Sequence, residues 1–115
     1  MLTHGAIILN LGLRGVYEIQ PQLGGQLTYA SASFESMYGR IESAWKLEED
    51  DFRLAVTIPA NTEGVVRLPT QSVEGITEQG QALAQVAGIR EIRKQGEMIT
   101  VTVGSGHYHF NVKMG

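Results

Sequence analysis

Short segments of alternating hydrophobicity, fourteen glycines set against three prolines, and the lack of a strong helical stretch predict an all-β domain. The expected architecture is an antiparallel two-sheet β-sandwich, Greek-key-like, with about eight or nine short strands. Glycine-rich turns suit such strands because glycine takes the positive φ that tight reversals demand. Two sheets are expected because one sheet of this length would leave an apolar face in water.

The segments justify this reading in chain order. Residues 6–11 fit an edge strand, and 16–20 a strand that Pro21 and Gly24-Gly25 terminate. Residues 29–35 and 41–46 read as strands joined through 36–40, where Gly39 is free to take positive φ. The clearest strand is 52–58: Phe52, Leu54, Val56 and Ile58 alternate with Arg53, Ala55 and Thr57, so one face points inward. The charged stretch 46–51 precedes it and 59–64, with Pro59, Asn61 and Gly64, follows; both flanks read as hairpin loops. A short strand at 65–68, closed by Pro69, then completes a meander of four strands.

Toward the C-terminus, the β-branched run 98–103 is followed by Gly104-Ser105-Gly106 and by 107–113, where Tyr108, Phe110 and Val112 share one face. This pattern predicts a closing hairpin. Residues 80–87 carry few large apolar side chains, so a loop or a single helical turn is expected between short stretches around Ile76 and Ile89.

At 115 residues the chain is long enough for one core that buries about two thirds of the surface exposed on unfolding. The sequence divides into residues 1–14, an N-terminal extension or edge strand, and a sandwich domain at 15–115. A formal charge of −3, scattered along the chain, offers no basic stripe for a phosphate backbone, so no nucleic-acid partner is expected. Without cysteine there is neither a disulfide framework nor a thiolate metal site. The longest apolar run, Ala6-Ile7-Ile8-Leu9, is far short of the roughly 20 residues that span a bilayer, and Met1-Leu2-Thr3-His4 lacks the basic start of a signal peptide. A soluble, untargeted chain with no membrane partner is expected.

Four groups of residues are candidates for chemistry. His107 and His109, two apart on a strand, project from one face as a pair of metal ligands does, although Asn111 and Lys113 on that face equally describe a solvated surface. Glu35 and Glu42 flank the turn at Gly39 and pose as a carboxylate pair for glycoside hydrolysis, but exposed strand faces carry such pairs routinely and catalysis needs a pocket that perturbs one of them. Trp45, Tyr38 and Tyr29, with Tyr17, could form an aromatic platform for sugar rings; against this, Trp45 shares the parity of Ile41 and fits a core position. Gly24-Gly25 and Gly104-Ser105-Gly106 lack the trailing Lys-Ser/Thr and the strand-to-helix setting of a phosphate loop. There is no glycine-flanked serine nucleophile either. No catalytic residue and no cofactor are assigned.

One ordered string goes further. Ile19-Gln20-Pro21 leads to Gly24-Gly25, then to Leu27-Thr28-Tyr29-Ala30, then to Glu35-Ser36-Met37-Tyr38-Gly39-Arg40-Ile41-Glu42-Ser43-Ala44-Trp45. Downstream come Val56-Thr57-Ile58-Pro59-Ala60-Asn61-Thr62, Leu68-Pro69 and Gly104-Ser105-Gly106-His107-Tyr108-His109-Phe110. This succession resembles the C-terminal β-sandwich domain of bacterial α-L-rhamnosidases, glycoside hydrolase family 78, over roughly residues 16 to 112. The resemblance implies a parent enzyme that releases terminal α-L-rhamnose with inversion, using two carboxylates about 6.5–9.5 Å apart. In that family the carboxylates belong to a helical-barrel domain that nothing in this sequence matches, so none is carried over. The resemblance therefore implies a non-catalytic accessory or structural domain, inactive alone, whose partner is the catalytic helical barrel. The alternative it implies is a carbohydrate-binding module for rhamnose-containing glycans. An apolar barrel-facing surface, left uncovered, is a further expectation, with homodimer formation through it.

Overall fold

Alternation and turn chemistry produce eleven strands in the computed structural model, which describes residues 6–10, 15–21, 28–48 and 50–113. In chain order they are β1 (Ala6–Asn10), β2 (Val16–Pro21), β3 (Tyr29–Ser36), β4 (Gly39–Glu48), β5 (Asp51–Ile58), β6 (Glu63–Leu68), β7 (Ile76–Glu78), β8 (Gln81–Ala82), β9 (Ile89–Gln95), β10 (Met98–Val103) and β11 (Gly106–Lys113). They form two sheets, one ordered β1-β2-β6-β10-β9 and the other β3-β4-β5-β11-β7-β8. No helix among the described residues is long and apolar enough to cross a membrane.

The inward faces of the two sheets meet in one core, as alternation requires. Phe52, Leu54, Val56 and Ile58 of β5 are buried, as are Ile41 and Trp45 of β4. Opposite them lie Ile19 of β2, Val66 and Leu68 of β6, and Ile99, Val101 and Val103 of β10. Burying each such side chain contributes about 1.5–3 kcal/mol before chain entropy is counted. The rings of Trp45 and Phe52 pack with centroids 5.7 Å apart.

The β3–β4 hairpin forms where the sequence predicts it. Ser36 faces Gly39 across a two-residue turn, Gly39 takes φ +131°, and the Ser36 Oγ accepts from the Tyr38 N–H at 3.1 Å while donating to the Gly39 carbonyl at 2.8 Å. The charged stretch before β5 is likewise a hairpin turn, with Glu48 opposite Asp51.

Two reversals that read as hairpins are instead passages between sheets. The meander stops at three strands, because β6 leaves β5 and inserts between β2 and β10. Asn61, at φ +62°, turns the chain out of the sheet. Gly64 then packs so tightly against Ile58 that a Cβ there would stand 2.7 Å from its Cδ1. The predicted closing hairpin also divides: β10 pairs with β6 and β9, whereas β11 pairs with β5 and β7. Side-chain alternation is the same on both sides of such a turn, so the pattern alone does not distinguish a hairpin from a corner.

Two smaller corrections concern strand count and direction. Strands β7 and β8 have three and two residues, too few to show a period, and β9 (Ile-Arg-Glu-Ile-Arg-Lys-Gln) carries charges because it forms an edge. Of the nine strand pairings among the described residues, eight are antiparallel and one, β2 with β6, is parallel. Residues 80–87 hold β8 and a 3-10 turn at Leu83–Gln85, whose Leu83 is buried.

Candidate functional site

The six-stranded sheet turns one face to the core and the other outward, and the outward face collects most of the candidate residues. The register lines them up in rows across the strands. Ser33, Glu42, Thr57 and His107 form one row; Ser31, Ala44, Ala55 and His109 form the next; Tyr29, Lys46, Arg53, Asn111 and Thr77 form a third. Because Ser31, Ala44 and Ala55 are small, the middle row lies lower than the rows beside it. The resulting depression, about 540 Å³, extends toward Gln79 and Gly80 and is open to solvent.

Electrostatic pairing on this face is local. Arg40 Nε donates to Glu35 Oε2 at 2.7 Å, and its Nη1 lies 3.6 Å from Glu42 Oε2. The hydrogen bond and charge of Glu35 hold the Arg40 guanidinium above its ordinary value, with Glu42 adding less. Lys46 and Arg53 both approach Glu48, at 3.2 and 3.3 Å. The two carboxylates considered for glycoside hydrolysis thus share a cation on an open surface. That arrangement supplies no desolvated acid, and acid catalysis needs a carboxyl kept protonated near neutral pH.

His107 and His109 do project together, both exposed. The His107 Nδ1 lies 3.0 Å from Thr57 Oγ1, and His109 flanks Ala55. Among the described residues no group of three or more His, Asp or Glu side chains converges as a metal site would require.

The structure does not assemble the aromatic platform. Trp45 is 2% exposed and belongs to the core, so it presents no face to a ring in solvent. Tyr29, 71% exposed, stands at the start of β3, while Tyr38 sits half-buried in the turn at the other end of that hairpin, beside Gly15. Tyr17 is buried against Phe34, with ring centroids 5.6 Å apart.

Two buried carboxylates escaped the sequence reading. Glu18 of β2 is paired with Arg67 of β6. Glu78 of β7, 5% exposed, accepts the His109 backbone N–H at 3.0 Å and Gln79 Nε2 at 2.8 Å, which ties β7 to β11. No spacing signal marks either residue; the alanines at outward positions 44 and 55 were the readable sign of the depression.

The family model described as the bacterial α-L-rhamnosidase C-terminal domain matches residues 12–83, more than half of the chain. The chain belongs to this family. An α-L-rhamnosidase of Formosa agariphila is 26% identical over 98 residues, which cover 85% of this chain and 11% of that protein. One from Streptomyces avermitilis is 27% identical over 94 residues, covering 82% of this chain and 8% of its own length. The crystal structure of the Streptomyces avermitilis α-L-rhamnosidase complexed with L-rhamnose superposes with a TM-score of 0.73 at 26% identity, over 87% of this chain and 9% of that one. The α-L-rhamnosidase structure from Dictyoglumus thermophilum also gives 0.73 at 26% identity, over 86% of this chain and 11% of its own. The chain thus spans about a tenth of the length of the rhamnosidases it matches, and it corresponds to their C-terminal domain.

Proposed function

We propose that this chain is a non-catalytic accessory domain of an α-L-rhamnosidase, stiffening and completing a catalytic helical-barrel domain against which it packs. The observation that carries this reading is the state of its surface carboxylates: Glu35 and Glu42 are engaged by Arg40 on an open sheet face. The rhamnosidase C-terminal-domain match supports it, and so does the small share of the relatives' length that the chain spans. We take residues 15–115 as the domain and β1 as an edge strand added to it.

The test is hydrolysis of an aryl α-L-rhamnoside by the purified chain. No turnover above the background is expected. Turnover that survives rigorous purification and disappears in Glu35→Gln or Glu42→Gln would overturn the proposal.

A second reading, a carbohydrate-binding module for rhamnose-containing glycans, draws support from the open depression beside Ala44 and Ala55, which Lys46, Arg53 and Asn111 also line, and from the exposed Tyr29. Calorimetric titration with L-rhamnose and rhamnose oligosaccharides tests it. Heat that saturates, and that is lost in Ala55→Arg, favours this reading over a purely structural role.

A further inference from the structure

The outer edge of β3 differs from the edges formed by β8 and β9. At the two-residue turn, Ser36 and Gly39 form the first cross-strand pair, and at the far end the Leu47 N–H donates to the Thr28 carbonyl at 2.7 Å. Hydrogen-bonded and non-bonded pairs alternate in an antiparallel ladder. Residues of even number, from Thr28 to Ser36, therefore spend their backbone groups on β4. Tyr29, Ser31, Ser33 and Glu35 direct their N–H and C=O groups away from β4, and among the described residues no strand pairs with that edge. The same four residues are all exposed.

Sheet edges are commonly protected by charge or by brevity. Strand β9 carries Arg90, Glu91, Arg93 and Lys94, and β8 has two residues. By contrast β3 has eight residues, and its stretch Tyr29-Ala30-Ser31-Ala32-Ser33-Phe34 bears no charge.

We propose that β3 pairs with β3 of a second copy of this chain, antiparallel about a two-fold axis, so that two six-stranded sheets join into one. The register that uses all four outward-facing residues sets Ser31 opposite the partner's Ser33 and Tyr29 opposite the partner's Glu35. Across the junction the outer-face rows then read Lys46, Tyr29, Glu35 and Arg40 in one case, and Ala44, Ser31, Ser33 and Glu42 in the other. No like charges face each other, and the exposed Tyr29 ring comes beside the Glu35–Arg40 pair, where a guanidinium attracts an aromatic face. A two-fold contact must be self-complementary, and this register is. A contact made by a single strand edge belongs with weak, transient associations, and half-conversion is expected in the range of roughly tens to hundreds of micromolar.

Sedimentation velocity over a concentration series tests the proposal, with the weight-average mass rising toward about twofold. Ser33→Pro removes one outward N–H and leaves every β3–β4 bond intact, so it should remain folded and monomeric. Amide exchange provides a readout that does not depend on a variant: Ser31, Ser33 and Glu35 should exchange freely in dilute solution and become protected on concentration, while Ala32 and Phe34 stay protected throughout. A wild-type chain monomeric up to about 1 mM overturns the proposal. So does a folded Ser33→Pro that dimerises as wild type does, or protection of Ser31 and Ser33 in the dilute monomer.

Discussion

The Tyr108 side chain lies directly over Gly88, so that a Cβ on Gly88 would overlap the Tyr108 hydroxyl and stand 2.9 Å from Cζ. That hydroxyl donates to the carbonyls of Gly104 and Ser105, at 3.1 and 3.3 Å, on the passage from β10 to β11. The Gly104 N–H in turn donates to the Gly88 carbonyl at 3.0 Å, closing a small network around the corner between the sheets. Gly88→Ala should therefore destabilise the fold by about 1–3 kcal/mol through overpacking, read as a lower urea midpoint. Tyr108→Phe, which keeps the ring and loses the hydrogen bonds, should cost about 1 kcal/mol.

The same tyrosine predicts an alkaline transition. Burial, followed by the charge of Glu78, raises its pKa above the ordinary 10.0, and Arg90 opposes this in part. The native state thus holds the phenolic proton more tightly than the unfolded chain does. The associated stability is fully present below pH 10 and is lost as pH rises from there through the raised value. Stability measured from pH 8 to pH 11 should fall more steeply in the wild type than in Tyr108→Phe; equal slopes would remove Tyr108 as the cause.

Trp45 is the only tryptophan, and it is 2% exposed. Its fluorescence should be blue-shifted in the native protein and move to the red in one step on unfolding. Trp45→Ala should cost about 3–5 kcal/mol, the range for removing a large aromatic from a packed core. A loss below about 1 kcal/mol is the outcome that a surface platform would give.

Glu18 and Arg67 link β2 and β6, which pair in parallel, with the Glu18 side chain 8% exposed and that of Arg67 38% exposed. Arg67→Met leaves a carboxylate uncompensated and should cost about 2–4 kcal/mol, less than a fully buried pair because Arg67 keeps contact with water. Glu18→Gln combined with Arg67→Met should recover part of that loss in denaturant melts. A double variant that is as unstable as the sum of the singles would show that the pair acts through packing and not through charge.

Local sequence determined much of this protein. Alternation in 52–58 determined which residues of β5 enter the core, and the Gly39 turn determined the β3–β4 hairpin. The ordered motifs from Ile19 to Trp45 carry the likeness to the family in the sequence itself. The candidate site was legible only in fragments: the parity of residues 107 and 109 showed that the histidines share a face, but not that Ala55 and Thr57 lie beside them.

Tertiary structure alone decided the partners. Period two states which face of a strand is apolar and is silent about which strand lies next to it. So the passage of β6 into the other sheet, its parallel pairing with β2, and the division of β10 from β11 depended on packing at Gly64 and on the Tyr108 network at Gly104. The burial of Trp45, compatible in sequence with a core or a platform, was settled by the opposing sheet that covers it. Contacts between residues far apart in the chain have no local pattern, and here they determine both the corners of the sandwich and the make-up of its exposed face.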